Sequence, residues 1–388
     1  MPLSCIIVSH NILERGIFMT SQEKFDYAMS MQPFAQRQDI PVFPHTCTFA
    51  AVPAGMTQAD LFKGNDAWMD AYKKCCEVTG YPDVAFPIGP KTVTYIEQMK
   101  VRIPGKDLGE NELFQVIEEE LMQESDYDLI VEKGFGAWQM PFVASIQNPP
   151  FTGPFAKFKT IFGFIKCGME VKKNKKFWDS KGIPMMFHSG CAPAFDTFSM
   201  SRGMGEFCCD LYDCPEKVKA ACEKATPEII KTGITGVKSA GGNRIAIFAM
   251  RSSATFISTD MFEEFAWPYL KQMILGFYEA GITSVVHCDG NWLPMLPYFK
   301  ELPRGCCIIE LDGATDIEKA YEVLKGYQVI RGDVPPALMA FGTPEEVTAY
   351  CDKLIGIAMG GGFILGTGCE VPLNCKIENL KALINSVR

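Results

Sequence analysis

Four side chains in the second half of the chain have the types and spacing of a metal site. The segment SVVHCDGNW ends an apolar, β-branched run with His287, and Asp289 follows two residues later. Residues i and i+2 of a strand face the same side, so His287 and Asp289 can converge while Cys288 points away. Glu310 lies at the end of the next apolar run, CCIIELDG, and Cys369 follows the last run, ILGTGCEVP. Imidazole, carboxylate and thiolate are ligands of zinc, so these four residues predict a catalytic zinc site.

Each of the four residues also has a purely structural explanation. A histidine at a strand end is more often a hydrogen-bonded structural residue, and Asp289 before Gly290 could shape a turn. Cys369 could be a small packing residue, and Glu310 could pair with a lysine or an arginine. Their joint position at strand ends favours a shared metal or catalytic site.

The elements that would position these residues alternate between strand and helix. The patterns predict amphipathic helices at 215–232, 259–279, 316–324 and 344–357. Apolar runs typical of buried parallel strands lie at 40–43, 84–86, 129–131, 184–188, 244–250, 284–287, 307–311, 328–331 and 362–365. About eight such units predict an α/β fold with a single (β/α)8 TIM barrel. A doubly wound open sheet is the alternative, but no glycine-rich dinucleotide loop follows the first strand.

The barrel prediction extends to flanking segments and to further polar residues. Residues 19–388 are expected to form the barrel, with inserted helices from about 90 to 180 over its mouth. Thr20 and Glu23 predict a capped helix at the start of this domain. Residues 1–18 are either an N-terminal arm or a segment upstream of a natural start at Met19. Barrel enzymes place polar groups at strand ends, which adds four candidate substrate-binding residues: His188, Arg251, Asp312 and Asp333.

Composition excludes several kinds of partner. The 388 residues carry a net charge of −9, which argues against nucleic acid and against an anionic membrane surface. No apolar run is long enough to span a bilayer. The 16 cysteines are scattered and follow no secretory signal, so we expect reduced thiols and a cytoplasmic protein.

Five ordered motifs resemble those of the uroporphyrinogen decarboxylase superfamily, most closely its corrinoid methyltransferase branch. They are RGMGEFCCDLYDCPEKV (202–218), STDMFEEFAWPYLKQM (258–273), HCDGNWLPMLPYFKEL (287–302), VIRGDVPPALMAFGTPEEV (329–347) and GCEVPLNCKIENLKALINSVR (368–388). The resemblance implies zinc held by His287, Asp289, Glu310 and Cys369, with Asp289 in place of the branch's first cysteine. It also implies a corrinoid (cobalamin), which we expect on a separate partner protein because the chain lacks the Asp-x-His-x-x-Gly signature of a cobalamin carrier.

The departure at Asp289 bears on the substrate. A carboxylate in place of a thiolate makes the ligand set harder, which keeps a metal Lewis acidic towards oxygen. This favours a small methylated substrate with an oxygen-bound methyl group, such as an aryl methyl ether, over a thiol. Decarboxylase-like members of the superfamily carry arginines for a polycarboxylate, whereas FPHTCTFAAVPAGM (43–56) has none. A tetrapyrrole decarboxylase, a coenzyme M-type thiol methyltransferase and a non-catalytic binding protein are the alternatives.

Overall fold

The computed structural model describes residues 19–388, and the prediction for residues 1–18 lies outside this range. The strands are β1 Val42–Phe43, β2 Lys100–Arg102, β3 Gln115–Ile117, β4 Gly190–Cys191, β5 Arg244–Ala249, β6 Thr283–Cys288, β7 Cys307–Leu311, β8 Val329–Val334 and β9 Phe363–Thr367. The helices of the first half are α1 Ser21–Ser30, α2 Ala51–Ala54, α3 Gln58–Leu61, α4 Asn65–Thr79, α5 Pro90–Ile96, α6 Ser125–Lys133, α7 Phe135–Ile146 and α8 Ala156–Ser180. Those of the second half are α9 Ala194–Arg202, α10 Met204–Asp213, α11 Pro215–Ala240, α12 Thr259–Met261, α13 Trp267–Glu279, α14 Ile317–Leu324, α15 Pro336–Phe341, α16 Pro344–Ala358 and α17 Ile377–Asn385.

Seven strands form one parallel sheet in the order β1-β9-β8-β7-β6-β5-β4, while β2 and β3 form a separate antiparallel ribbon. Strands β7, β8 and β9 are buried along their whole length, as expected for a parallel sheet covered on both faces. The fold is therefore α/β, as predicted. The helix at the start of the domain also forms, and Thr20 and Glu23 make the predicted reciprocal capping bonds.

The two edges of the sheet are linked through residues 84–86. The Val84 backbone N–H donates to the Val42 carbonyl of β1 at 3.1 Å. On the other side, the Ala85 N–H donates to the Pro184 carbonyl at 2.8 Å, and the Met186 N–H donates to the Ala85 carbonyl at 3.0 Å. These bonds fall on two of the segments that the sequence predicts as strands, although regular pairing there is limited to one bridge.

One predicted strand is wrong. Residues 129–131 lie inside helix α6, where Tyr127 and Ile130 are buried at a spacing of three residues. A three-residue apolar run fits either period, and only its packing decides between strand and helix. The predicted strand at 307–311 matches β7 at both ends, and the other predicted strands of the second half shift by one to three residues.

The register of the sheet places the candidate residues at one end. His287 of β6 pairs with Phe248 of β5 on one side and with Glu310 of β7 on the other, and Glu310 pairs with Arg331 of β8. Phe248, His287 and Glu310 lie towards the carboxyl ends of their strands, and Cys369 follows the end of β9. Among the helices of residues 19–388, none has both the length and the apolar character needed to cross a bilayer.

Candidate metal centre and aromatic wall

His287, Asp289 and Cys369 come together at the carboxyl end of the sheet. One ligand atom from each of the three residues lies within 4.8 Å of the others. The Nε2 atom of His287 is 3.3 Å from Oδ1 of Asp289. Cys288 is fully buried, and its thiol donates to the Val286 carbonyl at 3.6 Å instead. The three convergent side chains therefore offer a nitrogen, an oxygen and a sulfur to one point.

Glu310 lies on the opposite edge of the imidazole. Its Oε2 is 3.2 Å from Nδ1 of His287, so it does not join the cluster formed by Asp289 and Cys369 at Nε2. Because a carboxylate can only accept, Nδ1 carries the proton and the ring orientation is fixed. The structure thus places Glu310 outside the group formed by His287, Asp289 and Cys369, whereas the sequence predicted it as a fourth ligand.

Glu310 also connects the site to a buried cation. Its Oε1 lies 3.7 Å from Nε of Arg331, and Arg331 is fully buried with its guanidinium over the ring of Phe43 at 4.8 Å. Burial raises the pKa of Glu310, but Arg331 and His287 outweigh it and hold that pKa below its usual value. Burial lowers the pKa of His287, but Asp289, Cys369 and Glu310 together raise it well above its usual range. The two carboxylates on either side of the ring thus favour its protonated form.

The donor set fits a catalytic zinc ion. Zinc is commonly held by three protein ligands drawn from imidazole, carboxylate and thiolate, with a fourth position left for substrate. His287, Asp289 and Cys369 supply one of each type. A carboxylate on the second nitrogen of a ligating histidine is also typical of zinc sites, and Glu310 occupies that place.

Two loops carry Asp289 and Cys369, and Asp312 supports the first of them. The Asp312 carboxylate accepts from the Gly290 N–H at 2.7 Å and from the Ala314 N–H at 2.8 Å. Gly290 has φ of +82°, and a side chain there would meet the Ser253 and Thr255 hydroxyls within 2.7 Å. Asp312 therefore holds the Asp289 loop and does not face the cluster as a ligand would.

The Cys369 loop is bonded to a histidine that the sequence analysis did not single out. The backbone N–H of His45 donates to the Thr367 hydroxyl at 3.2 Å, and the backbone N–H of Val371 donates to the His45 carbonyl at 2.8 Å. These bonds bracket Cys369 and bring His45 beside it. Burial, with Arg331 and His287, lowers the pKa of His45 well below its usual value, so its ring is neutral. His45 lies two residues after β1, so the rule that polar residues just after strand ends are candidates would have found it.

A chain of rings runs from His45 to His287 across the strands. His45 stacks on Phe86 at 4.1 Å between ring centroids, and Phe86 meets Phe187 edge-on at 5.7 Å. Phe187 in turn meets Phe248 at 6.3 Å, and Phe248 meets His287 at 6.2 Å. We call these five residues the aromatic wall. Phe86 and Phe187 are buried, whereas His45 and Phe248 are partly exposed, so these two rings offer flat, polarisable surface near the candidate metal centre.

The other predicted substrate-binding residues do not join this site. His188 lies at the opposite end of the sheet, where its N–H donates to the carbonyl of Arg244, the first residue of β5. Burial lowers the pKa of His188 to about 3. Asp333 accepts from the hydroxyl of Tyr350 on helix α16 at 2.9 Å, and burial raises its pKa to about 6. Both residues are accounted for by local packing.

Arg251 lies at the carboxyl end of β5 but is already paired. Its guanidinium donates to both carboxylate oxygens of Glu118 at 3.1 and 3.2 Å and to the Ser199 carbonyl at 2.9 Å. Its backbone N–H donates to Asp196 at 2.7 Å. Arg251 therefore fastens the segment after the β2–β3 ribbon to the end of β5.

Comparisons with known proteins agree with this architecture. Residues 189–388 match the family model described as uroporphyrinogen decarboxylase (URO-D). The methylcobamide:CoM methyltransferase MtbA of Methanosarcina acetivorans is 26% identical over 148 residues, which is 38% of this chain and 42% of the relative. The uroporphyrinogen decarboxylase of Chlorobium luteolum is 25% identical over 230 residues, or 56% of this chain and 63% of the relative.

A third relative is the methylated-thiol–coenzyme M methyltransferase of Methanosarcina mazei, 27% identical over 176 residues, or 45% of each chain. The matches thus span about half the length of these relatives. A solved methyltransferase from Methanosarcina mazei has the same fold, with a TM-score of 0.69 at 17% identity over 95% of this chain and 98% of that one. Because the family model matches more than half of its residues, the chain belongs to the uroporphyrinogen decarboxylase (URO-D) family.

Proposed function

We propose that this protein is a zinc-dependent methyltransferase that moves a methyl group between an aryl methyl ether and the cobalt of a separate corrinoid protein. The observation that carries the proposal is the cluster of His287, Asp289 and Cys369 at one end of an aromatic wall. The names of two relatives, a methylcobamide and a methylated-thiol methyltransferase, support the reaction class.

His287, Asp289 and Cys369 would hold the zinc ion, and Glu310 would orient His287 through Nδ1. The metal would supply Lewis acidity towards a substrate oxygen, which makes the aryl oxide a better leaving group. The chain's own contribution is to fix the ligands before substrate arrives. Glu310 fixes the imidazole, and the Asp312 bond to Gly290 fixes the loop of Asp289.

The aromatic wall supports an aromatic substrate. Offset or edge-on ring contacts would stabilise an aryl group next to the partly exposed rings of His45 and Phe248, whereas a short aliphatic thiol would gain little from them. The neutral His45 ring has no hydrogen-bond partner among residues 19–388, so one of its nitrogens can donate to a polar substrate atom. In the proposed reaction the carbon–oxygen bond would break, its electron pair would stay on the aryl oxygen, and the methyl group would be accepted by the Co(I) of the corrinoid partner.

The corrinoid protein would approach from the carboxyl end of the strands, because the cobalt must reach the methyl carbon. We infer that the two edge strands of the sheet, β1 and β4, are joined through residues 84–86, so that the sheet closes into the eight-stranded barrel that the sequence predicts. Residues 84–86 would be the strand between β1 and the segment that leads into β4. The hydrogen bonds of Val84 to β1 and of Ala85 to Pro184 support this closure.

A thiol methyltransferase is the second candidate, because a relative is named as one. Asp289 weighs against it, since thiol chemistry favours sulfur-rich coordination. A decarboxylase for a polycarboxylate is less well supported. At this end of the sheet, Arg331 is engaged by Glu310 and Arg251 by Glu118, so neither is free to bind substrate carboxylates.

The test measures methyl transfer by the zinc-loaded protein. Free cobalamin, reduced to Co(I), is incubated with aryl methyl ethers or methylated thiols, and methyl–cobalt formation is followed by absorbance. We expect transfer from ethers, and its loss with the zinc in Cys369→Ala but not in Cys375→Ala, which removes another thiol of the same loop. Transfer from thiols alone would contradict the assignment of the donor, and full activity without zinc would contradict the metal mechanism.

A further inference from the structure

A stripe of large apolar side chains lies open on the first half of helix α8. Phe155, directly before the helix, is 69% exposed, and Phe158 and Phe162 are 68% and 60% exposed. Ile165 is 55% exposed and Met169 is 66% exposed. The spacing of 3, 4, 3 and 4 residues aligns all five on one face of the helix. We call these five residues the α8 stripe.

The opposite face of α8 attaches the helix to the rest of the protein, so the stripe is not a frayed end. The Tyr95 hydroxyl donates to the Thr160 carbonyl at 2.9 Å, and a side chain at Gly163 would collide with the Tyr95 ring. Further along, Asn174 exchanges hydrogen bonds with Asn65 at 2.8 and 2.9 Å. The helix therefore holds the stripe in one fixed orientation.

The stripe is large for a monomer. A phenylalanine presents on the order of 200 Å², so the exposed fractions of the five side chains leave roughly 600 Å² of apolar surface. This is the upper end of the largest apolar patch on typical monomers. It approaches the area of about 800 Å² that each partner buries in a stable interface. Ile161, which is 40% exposed beside the stripe, adds to it.

The pattern is complementary to itself. The five residues occupy alternating a and d positions of a heptad repeat. Two copies of α8 packed antiparallel would place Phe162 against Ile165 of the other copy, and Phe158 against Met169. A surface of this apolar character suits a permanent occupant, because a carrier protein that must leave after each turnover uses a smaller and more polar surface.

We propose that the α8 stripe is the interface through which two copies of this chain form a dimer. Two lysines beside the stripe weaken the dimer slightly, because they repel each other across the interface. Lys159 and Lys166 are exposed on one flank, and antiparallel pairing brings each near the other in the second copy. Exposed charge pairs contribute little compared with apolar burial, so the dimer forms in spite of them. Salt screens such repulsion, so the dimer tightens as ionic strength rises. This inference does not depend on the proposed reaction.

The test is sedimentation velocity of the full chain over a range of protein concentrations, at low and high salt. We expect a species of twice the 43.1 kDa chain mass. The double variant Phe158→Asp/Phe162→Asp should sediment as a monomer with an unchanged circular dichroism spectrum. Phe341→Asp is the matched control, because Phe341 is 76% exposed outside the stripe. It should leave the dimer intact.

Two results would overturn the proposal. One is a wild-type protein that stays monomeric at all concentrations, which would leave the stripe to a different protein. The other is a dimer that survives in Phe158→Asp/Phe162→Asp, which would place the interface elsewhere. If the double variant does not fold, Met169→Lys at the edge of the stripe provides the same comparison, with an expected weakening of the dimer of at least tenfold.

Discussion

Replacement of Glu310 by glutamine separates two roles that the structure assigns to its carboxylate. One oxygen lies 3.2 Å from Nδ1 of His287, and the other lies 3.7 Å from Nε of Arg331. Glutamine has nearly the same shape, and its amide oxygen still accepts from Nδ1. The Glu310→Gln variant therefore keeps the orientation of the imidazole but removes the negative charge beside both cationic groups.

The loss of charge should weaken zinc binding and folding by different amounts. Removing a partner of a ligating histidine costs 10- to 100-fold in metal affinity, or about 1.4–2.7 kcal/mol. Arg331 is fully buried, so taking away its carboxylate should destabilise the fold by roughly 3 kcal/mol, the lower end for a broken buried pair. The lower end applies because the Arg331 guanidinium keeps bonds to the carbonyls of Gly368 and Phe43 at 3.4 and 3.3 Å.

The assays are zinc competition against a chromogenic chelator and unfolding in urea. Glu228→Gln is the matched control, because the Glu228 carboxylate accepts from the N–H groups of Phe135 and Gly136, at the start of helix α7. It should lower stability without changing zinc affinity. Unchanged zinc affinity in Glu310→Gln would refute the contribution of its negative charge to zinc binding. A loss above 1000-fold, with a changed ligand-field spectrum of the cobalt-substituted protein, would instead make Glu310 a direct ligand.

Three further predictions concern the metal ligands, the aromatic wall and a half-buried carboxyl group. Asp289→Cys should keep zinc but transfer methyl from ethers several-fold more slowly, and equal or faster transfer would contradict the tuning of the site for oxygen. His45→Phe keeps the stack on Phe86 but removes the donor, so transfer should fall by about tenfold, and most for ethers whose phenols are weak acids; a uniform loss across the phenols would indicate packing instead. Burial raises the pKa of Glu97 from 4.5 to about 7, so the native state binds the extra proton and wild-type stability should fall as pH rises from 4.5 through 7. Glu97→Gln should remove that slope and gain about 1–2 kcal/mol at pH 8, measured by urea unfolding, with no gain at pH 4.5.

The sequence could predict the positions of His287, Asp289 and Glu310 because they follow from patterns within single segments of the chain. Strand alternation brings His287 and Asp289 to one side, and both are visible in a single segment. The end of β7 could be read from its apolar run, which located Glu310 at the same level. The sequence could not say which imidazole nitrogen Glu310 would meet. The register pairs Glu310 directly with His287, so its carboxylate reaches Nδ1, while Asp289 lies one step beyond and reaches Nε2.

The aromatic wall could not be predicted because its members are far apart in the chain. His45, Phe86, Phe187, Phe248 and His287 follow or lie on five different strand segments. The chain has 28 phenylalanines, and nothing local distinguishes Phe86 or Phe248 from those in the core. His188 shows the opposite failure. It ends an apolar run, but β4 follows it at Gly190–Cys191. His188 therefore lies beside Arg244, at the start of β5, and not at the carboxyl end of the sheet.

His287 belongs to both halves of the proposed site, and this has a consequence for how they work together. Its Nε2 faces Asp289 and Cys369, while its ring edge meets Phe248, the last phenylalanine of the aromatic wall. Rotation of the imidazole would therefore disturb metal binding and the substrate surface at once. Glu310 resists that rotation, and Arg331 holds Glu310 in turn. A buried ion pair is a weak source of stability, but here it fixes the angle between a metal ligand and the ring against which an aryl substrate would pack.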